Sequence, residues 1–213
     1  LPQYDKSNHV LGNASWDWTG GLLTNFTYKN ISLVAVFDVK VGADLYSMSA
    51  RAAHESGKSP ETLAGRDAWY RSEEERLAAG IAKGADNWKP TGGFVAPGVI
   101  DNGDGTYRPN DIYINPEDYW MSVCRNAPSM FIYDNSYVKC RELTLSYNVP
   151  KSWLKNVVSG LTVSFVARNP FIVWKNIPNI DPDSNYNNTT GMGLEYGSLP
   201  SRRSYGFNVN VKF

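Results

Sequence analysis

The sequence has no long hydrophobic run, and none of its 213 residues falls in an apolar stretch of the roughly twenty residues that a membrane-spanning helix needs. That excludes a helical span and nothing more, because a membrane β-strand needs only about ten residues of alternating polarity. Net charge is missing too: 21 Lys and Arg balance 21 Asp and Glu, so charge points to neither nucleic acid nor an anionic membrane surface as partner. Cysteine and histidine are scarce. Cys124 and Cys140 are in no CxxC pair, and His9 and His54 are far from both in sequence, so no metal site is expected. A disulfide stays open for an exported protein, although two cysteines without a framework are more often free and buried. There is no nucleophile elbow, HExxH, P-loop or dinucleotide fingerprint, so neither an enzyme nor a cofactor is expected. The opening LPQYDKSNHV has no initiator Met, basic segment or apolar core, and any export signal is expected outside this chain.

What the sequence does have is aromatic residues and alternation. Seven Trp and thirteen Tyr lean towards β structure. In LLTNFTYK, Leu22, Thr24, Phe26 and Tyr28 oppose Leu23, Asn25, Thr27 and Lys29. After a break at Asn30, ISLVAVFDVKV sets Ile31, Leu33, Ala35, Phe37 and Val39 against Ser32, Asp38 and Lys40, which predicts a tight hairpin. CRELTLSYN, LTVSFVARN and the closing RSYGFNVNVKF repeat the pattern. Antiparallel strands are therefore expected near 22–29, 31–46, 136–148, 160–173 and 202–213. Short connections alternate with long ones, so neighbouring antiparallel strands would put the short turns on one side and the long loops on the other, as in outer-membrane barrels.

The longest connection carries its own order. SPETLAGRDAWYRSEEERLAAG, with Ser59 as N-cap, Pro60 at the first position and Gly80 as stop, predicts a helix over about 60–79 with the EEE at 73–75 as a solvated face. NPEDYW predicts one helical turn. DPDSNYN places Asp181, Asp183, Asn185 and Asn187 at alternate positions, but Tyr186 and Met192 stand where a calcium loop needs Gly and Glu, so calcium is disfavoured.

Taken in order, LGNASWDWTGGLLTNFTYKNISL, YRSEEERLAAG, WKPTGGFVAPGV, NPEDYW, NSYVKCRELTLSYNVPKSWL, VARNPFIVW, NIDPDSN and LPSRRSYGFNVNVKF resemble the C-terminal part of the SusC/RagA family of TonB-linked outer-membrane transporters of Bacteroidetes. The resemblance covers nearly the whole chain, residues 1–213. It implies an all-β fold: the last five antiparallel strands of a 22-stranded transmembrane β-barrel with long, partly helical extracellular loops and a periplasmic C-terminus. It also implies, as partners, the remaining strands and plug of the same barrel, a SusD-like surface lipoprotein as lid, TonB acting through a part not in this chain, and outer-membrane lipid. The imported substrate would be an oligosaccharide or, as the alternative, a peptide. Under this resemblance Lys29, Asp38, Lys40, Glu142, Arg168, Asn208 and Asn210 face the lumen, with Cys140 in the phase of Glu142. Trp174, Tyr186 and Tyr196 lie in the last long loop as candidates for substrate or lid contact. Tyr205, Phe207, Val209, Val211 and Phe213 resemble the assembly signal of outer-membrane barrels. A reading from another class is a soluble carbohydrate-binding β-sandwich, which would need more strands with turns every eight to twelve residues.

Overall fold

The computed structural model describes residues 4–5, 7–154, 158–185, 189 and 191–213. In chain order its elements are β1 (Trp18–Tyr28), β2 (Ile31–Val41), β3 (Asp44–Ser47), α1 (Met48–Glu55), α2 (Arg66–Ala78), β4 (Phe94–Val95), β5 (Val99–Asp101), β6 (Tyr107–Pro109), β7 (Tyr113–Ile114), α3 (Pro116–Asn126), β8 (Ile132–Asp134), β9 (Tyr137–Asn148), β10 (Gly160–Lys175), β11 (Leu194–Glu195) and β12 (Ser204–Lys212). The chain divides into two compact units. One is Gly12–Tyr46 with Ile132–Phe213; the other is Ser47–Phe131 with the described residues of Leu1–Leu11.

The first unit is built on a five-stranded sheet in the order β1-β2-β9-β10-β12, every neighbour antiparallel. Directly opposed residues of an antiparallel pair share a face, so the register can be followed across all five strands. One row runs Phe26, Leu33, Leu145, Phe165, Phe207; the row beside it runs Thr27, Ser32, Ser146, Ser164, Asn208. The period of two that each strand carries in its sequence thus becomes a sheet with one apolar face and one face that is polar apart from Leu23, Val34, Val36 and Val166. A sandwich would cover the apolar face with a second sheet. Here that face is open, with Phe26 65%, Leu145 47% and Phe207 79% exposed.

Several boundaries differ from the expectations. The first strand begins at Trp18, and the turn to β2 has two residues, Lys29 and Asn30, with Lys29 in the left-handed region at φ 54°. β2 stops at Val41, where Gly42 (φ 91°) redirects the chain and its N–H donates to Ser136 Oγ at 3.0 Å. The segment beyond, β3, leaves the large sheet and joins a small one in the order β11-β3-β8.

Two irregularities set the phase at the far end of the sheet. Val36 opposes Glu142 but Phe37 opposes Cys140, so Arg141 is an extra residue on β9. A bulge reverses the alternation beyond it. Cys140 therefore lies in the row of Phe37 and Phe171, on the apolar face, and not in the phase of Glu142 as parity alone implied. On β10 the register shifts between Arg168 and Phe171, where Asn169 takes φ 48° and Pro170 has no N–H for the ladder.

The second unit is of mixed helix and short hairpins. The helix expected over 60–79 is divided: Pro60–Leu63 is a 3-10 turn, Gly65 takes φ 78°, and α2 begins at Arg66. Ser59 caps no backbone N–H; its hydroxyl binds the Glu61 carboxylate. NPEDYW starts a full helix, α3, because Asn115 Oδ1 accepts from Glu117 N at 3.0 Å and Pro116 fits the first turn. The buried face of α3, Tyr119, Trp120, Val123 and Cys124, packs with Phe94, Phe131 and His54, with ring centroids 4.6 Å apart for Phe94 and Tyr119 and 4.9 Å for His54 and Trp120. Both cysteines are free and buried, and burial pushes the Cys124 thiol up.

Candidate functional site

The polar face of the sheet and the segment that folds onto it form the site. Successive strand residues point to opposite faces, so Asp38 and Lys40 on β2 share the polar face with Ser32. The bulge at Arg141 puts Tyr137, Lys139 and Arg141 on that face as well, since Lys139 opposes Asp38 and Tyr137 opposes Lys40. Asp181 and Asp183, two apart in the connection from β10 to β12, meet this array.

Lys139 is 2% exposed at its side chain and donates to Asp181 Oδ1 at 3.2 Å, Asp183 Oδ2 at 2.6 Å and Ser201 Oγ at 2.5 Å. Arg141 bridges Asp38 Oδ2, at 2.5 Å from Nη2, and Asp183, at 2.5 Å from Nη1 and 2.9 Å from Nη2. Tyr137 Oη donates to Asp183 Oδ1 at 2.8 Å, and the backbone N–H groups of Asp183 and Ser201 donate to Asp181 at 3.1 and 2.9 Å. Burial alone would raise the Asp183 carboxyl. Bonds from Arg141, Lys139 and Tyr137 outweigh it and hold the group well below the usual carboxylate range. The same balance lowers Asp181: burial opposes, and Ser201, the Asp183 amide and Lys139 prevail. Neighbouring bonds extend the anchor, with Asn135 Nδ2 donating to Pro182 O at 3.0 Å and Lys175 Nζ to Ile180 O at 2.5 Å.

Such a network makes a fixed polar wall and a fixed loop. Its carboxylates are saturated by cations and N–H donors, which gives Asp181 and Asp183 a structural use unlike the calcium loop weighed from their spacing. Tyr137, Lys139, Arg141, Asp181 and Asp183 were missed as a group from sequence. The signal was there as two cations at i and i+2 in VKCREL and two acids at i and i+2 in IDPDS, but their partnership crosses 42 to 44 positions.

The other expected lumen residues sort as follows. Asp38 is in the network. Lys40 lies 5.4 Å from the ring of Trp16 and 6.0 Å from that of Tyr137. Glu142 and Arg168 oppose each other on the polar face at 3.7 Å. Asn208 opposes Ser164, whose hydroxyl is 2.8 Å from that of Ser146, and Asn210 opposes Thr162. Lys29 is the exception: it is a turn residue, with its ammonium 5.3 Å from the Tyr28 ring, and belongs to neither face. Trp174, expected in a loop, is inside β10 and opposes Val138, in line with Val39 on the apolar side. Tyr196 is 55% exposed and tilts against Tyr46 at 6.4 Å. Tyr186 lies outside the described residues. Tyr205, Phe207, Val209 and Val211 share the apolar face; Tyr205 stacks on Phe165 at 6.2 Å, and Phe213 lies one residue past β12 with its carbonyl accepting from Ser159 Oγ at 3.1 Å.

No protein-family model matches the chain. TonB-dependent receptor P3 of Formosa agariphila is 33% identical over 95 residues, covering 42% of this chain and 10% of that protein. A structure of the RagAB peptide importer in its closed-closed state aligns with 99% of this chain and 19% of its own, at TM-score 0.57 and 18% identity. A structure of the RagAB peptide transporter aligns with 92% of this chain and 17% of its own, at TM-score 0.52 and 19% identity. The chain thus spans between a tenth and a fifth of the proteins it matches. The structures share its fold, the receptor shares its sequence, and both agree with the ordered motifs. These likenesses, one in sequence over 95 residues and two in fold, agree with the resemblance to the C-terminal part of the SusC/RagA-type TonB-dependent receptors.

Proposed function

We propose that the chain forms the last five strands of a 22-stranded outer-membrane barrel that imports a nutrient oligomer with energy relayed by TonB. The observation that carries this is the pair of adjacent rows, Phe26 to Phe207 all apolar and Thr27 to Asn208 all polar. A sheet with lipid on one side and a hydrated channel on the other needs that division, because bilayer-facing and lumen-facing residues alternate along each strand. The free edges of β1 and β12 would pair with the missing strands, since unpaired backbone groups are not tolerated in lipid. Glu142, Arg168, Asn208 and Asn210 would line the channel beside the network, with the turns and Phe213 on the periplasmic side. Trp174 fits an aromatic girdle at the membrane interface; Tyr196, with Tyr186, is the better candidate for contact with substrate or with a SusD-type lid. Oligosaccharide is the first substrate class, and peptide the second, favoured by the peptide importers that share the fold.

The test is uptake of labelled oligosaccharide and peptide mixtures by cells carrying, lacking or re-supplied with the full-length protein. Loss and restoration of one class, abolished by a protonophore, is expected; unchanged uptake of both would overturn the reading. The series Tyr205, Phe207, Val209, Val211 and Phe213 is proposed as the strand read during insertion. Phe213→Ala should lower the amount of protein in outer-membrane fractions several-fold while leaving the inserted molecules normal.

A further inference from the structure

Two turns of this chain share one local sequence, an Asp, an Asn and a small residue, and the fold treats them oppositely. Asp101-Asn102-Gly103 opens the turn between β5 and β6, and Asp134-Asn135-Ser136 joins β8 to β9. In each, the Asp side chain accepts the N–H two residues on: Gly103 N donates to Asp101 Oδ1 and Ser136 N to Asp134 Oδ1, both at 2.8 Å. The surroundings differ. Every residue from Asp101 to Pro109 is exposed, Gly103 takes φ 80°, and a Cβ built on it would meet no atom within 4 Å. The bonds of Asn102 stay within its own hairpin, from its N–H to Thr106 O at 3.0 Å and from Nδ2 to Thr106 Oγ1 at 2.9 Å. Asn135 is 2% exposed; its N–H donates to Ala43 O at 2.8 Å and its Nδ2 to Pro182 O at 3.0 Å, which ties it to two distant segments. Asn102 is also the only Asn of the sequence that is followed by Gly.

We infer that Asn102 is a site of self-modification, at which the Gly103 amide nitrogen attacks Asn102 Cγ and the residue becomes a mixture of isoaspartate and aspartate. Hydroxide from water removes the Gly103 amide proton as the N–Cγ bond forms. The Cγ–Nδ2 bond breaks, and the departing nitrogen leaves as ammonia with a proton from water, which restores the hydroxide. Water then adds to one carbonyl of the succinimide ring and opens it, leaving one new carboxylate; nothing is oxidised or reduced. Nucleophile and electrophile are neighbours in the chain, so no encounter is needed. Gly103 has no Cβ to hinder the closing ring, and the exposed turn lets the backbone rotate and water enter. Asn135 has the same reacting atoms and the same Asp bond, but burial excludes hydroxide, and its bonds to Ala43 and Pro182 resist the rotation that ring closure requires. The product changes the hairpin. A carboxylate at 102 stands between those of Asp101 and Asp104 and has no N–H for Thr106 Oγ1, and isoaspartate lengthens the backbone beside the Asp101 and Tyr107 pair. The β5–β6 hairpin therefore passes irreversibly, with age, to a second and more acidic form.

The experiment keeps the full-length protein in detergent at 37 °C and pH 8, withdraws samples over days, digests them briefly at acid pH and reads the peptides by mass spectrometry. A synthetic peptide of residues 99–109, incubated alongside, sets the clock. The Asn102 peptide should gain the mass of an Asn-to-Asp change and split into two chromatographic forms, several-fold faster at pH 8 than at pH 7, while the Asn135 peptide stays unchanged. Gly103→Ala should slow the change several-fold. In guanidinium, where the burial of Asn135 is lost, Asn135 should begin to convert. Folded protein whose Asn102 is intact when the synthetic peptide has converted by half would overturn the proposal, as would equal rates at Asn102 and Asn135 in folded protein. An unchanged rate in Gly103→Ala would overturn the route through the Gly103 nitrogen.

Discussion

In the unit of Ser47–Phe131 one aromatic cluster is inside: Tyr119, Trp120 and Phe131 are nearly or fully buried, while Tyr70 and Tyr107 stay exposed, and α3 shows its acids and Arg125 at its ends. In the sheet the order is reversed. Phe26, Phe207 and Val209 are more than half exposed, while Lys139 is 1% exposed and lies among carboxylates. The same chain therefore follows two rules of burial. The first is that of a protein in water, where apolar area is removed from solvent. The second is the rule of the proposed barrel wall, whose apolar face would meet hydrocarbon with the charges collected on the other side. On that proposal the two units are built for different solvents, and each can be perturbed separately.

The largest effect is expected at the buried charges. Lys139→Met leaves Asp181 and Asp183 short of a cation and should cost about 3–5 kcal/mol, the range for breaking a buried ion pair from one side. Limited proteolysis should then cut in 176–203; unchanged resistance would show that the network is not the anchor. The second effect sharpens the contrast of faces. Phe165→Arg at mid-sheet should cost about 2–4 kcal/mol in lipid-refolded protein, and Ser164→Arg much less. Equal costs would erase the distinction. In the water-type unit, Asn115→Ala removes the cap of α3 and should cost about 1 kcal/mol by denaturant midpoint, without changing insertion.

The smallest effect concerns pH. The Asp181 and Asp183 carboxyls are lowered on folding, so their contribution is fully present above the unfolded carboxyl value of about 3.9 and is lost as pH falls through the folded values. Hydrogen exchange in the anchored loop, corrected for its intrinsic pH dependence, should show the same protection from pH 8 to 5, with release only below about pH 4. Release between pH 5 and 6 would mean that another group controls the loop.

Strands were legible because period-two alternation is local: Leu143, Leu145 and Tyr147, and Phe207, Val209 and Val211, announce their faces without a partner. Phase beyond a bulge was not legible, since one extra residue at Arg141 reverses Cys140 while every local propensity stays the same. The break at Gly65 was visible as a glycine, yet only a left-handed φ makes it end a turn before a helix starts. The charge network was hidden for a different reason. Each half looks like ordinary solvated charge, and the meeting of Lys139 with Asp181 depends on where the loop after β10 returns. Trp174 was misplaced because the expected strand ended at residue 173, two short of Lys175.

In the proposed barrel the row from Phe26 to Phe207 faces lipid and the row from Thr27 to Asn208 faces water. It is tested by spin labels at Phe207→Cys and Asn208→Cys, and at Leu145→Cys and Ser146→Cys, in full-length protein whose Cys124 and Cys140 have been replaced by Ser, reconstituted in bilayers. Labels at 207 and 145 should relax with oxygen, which partitions into lipid, and labels at 208 and 146 with a water-soluble nickel complex. Nickel access at all four positions would contradict it.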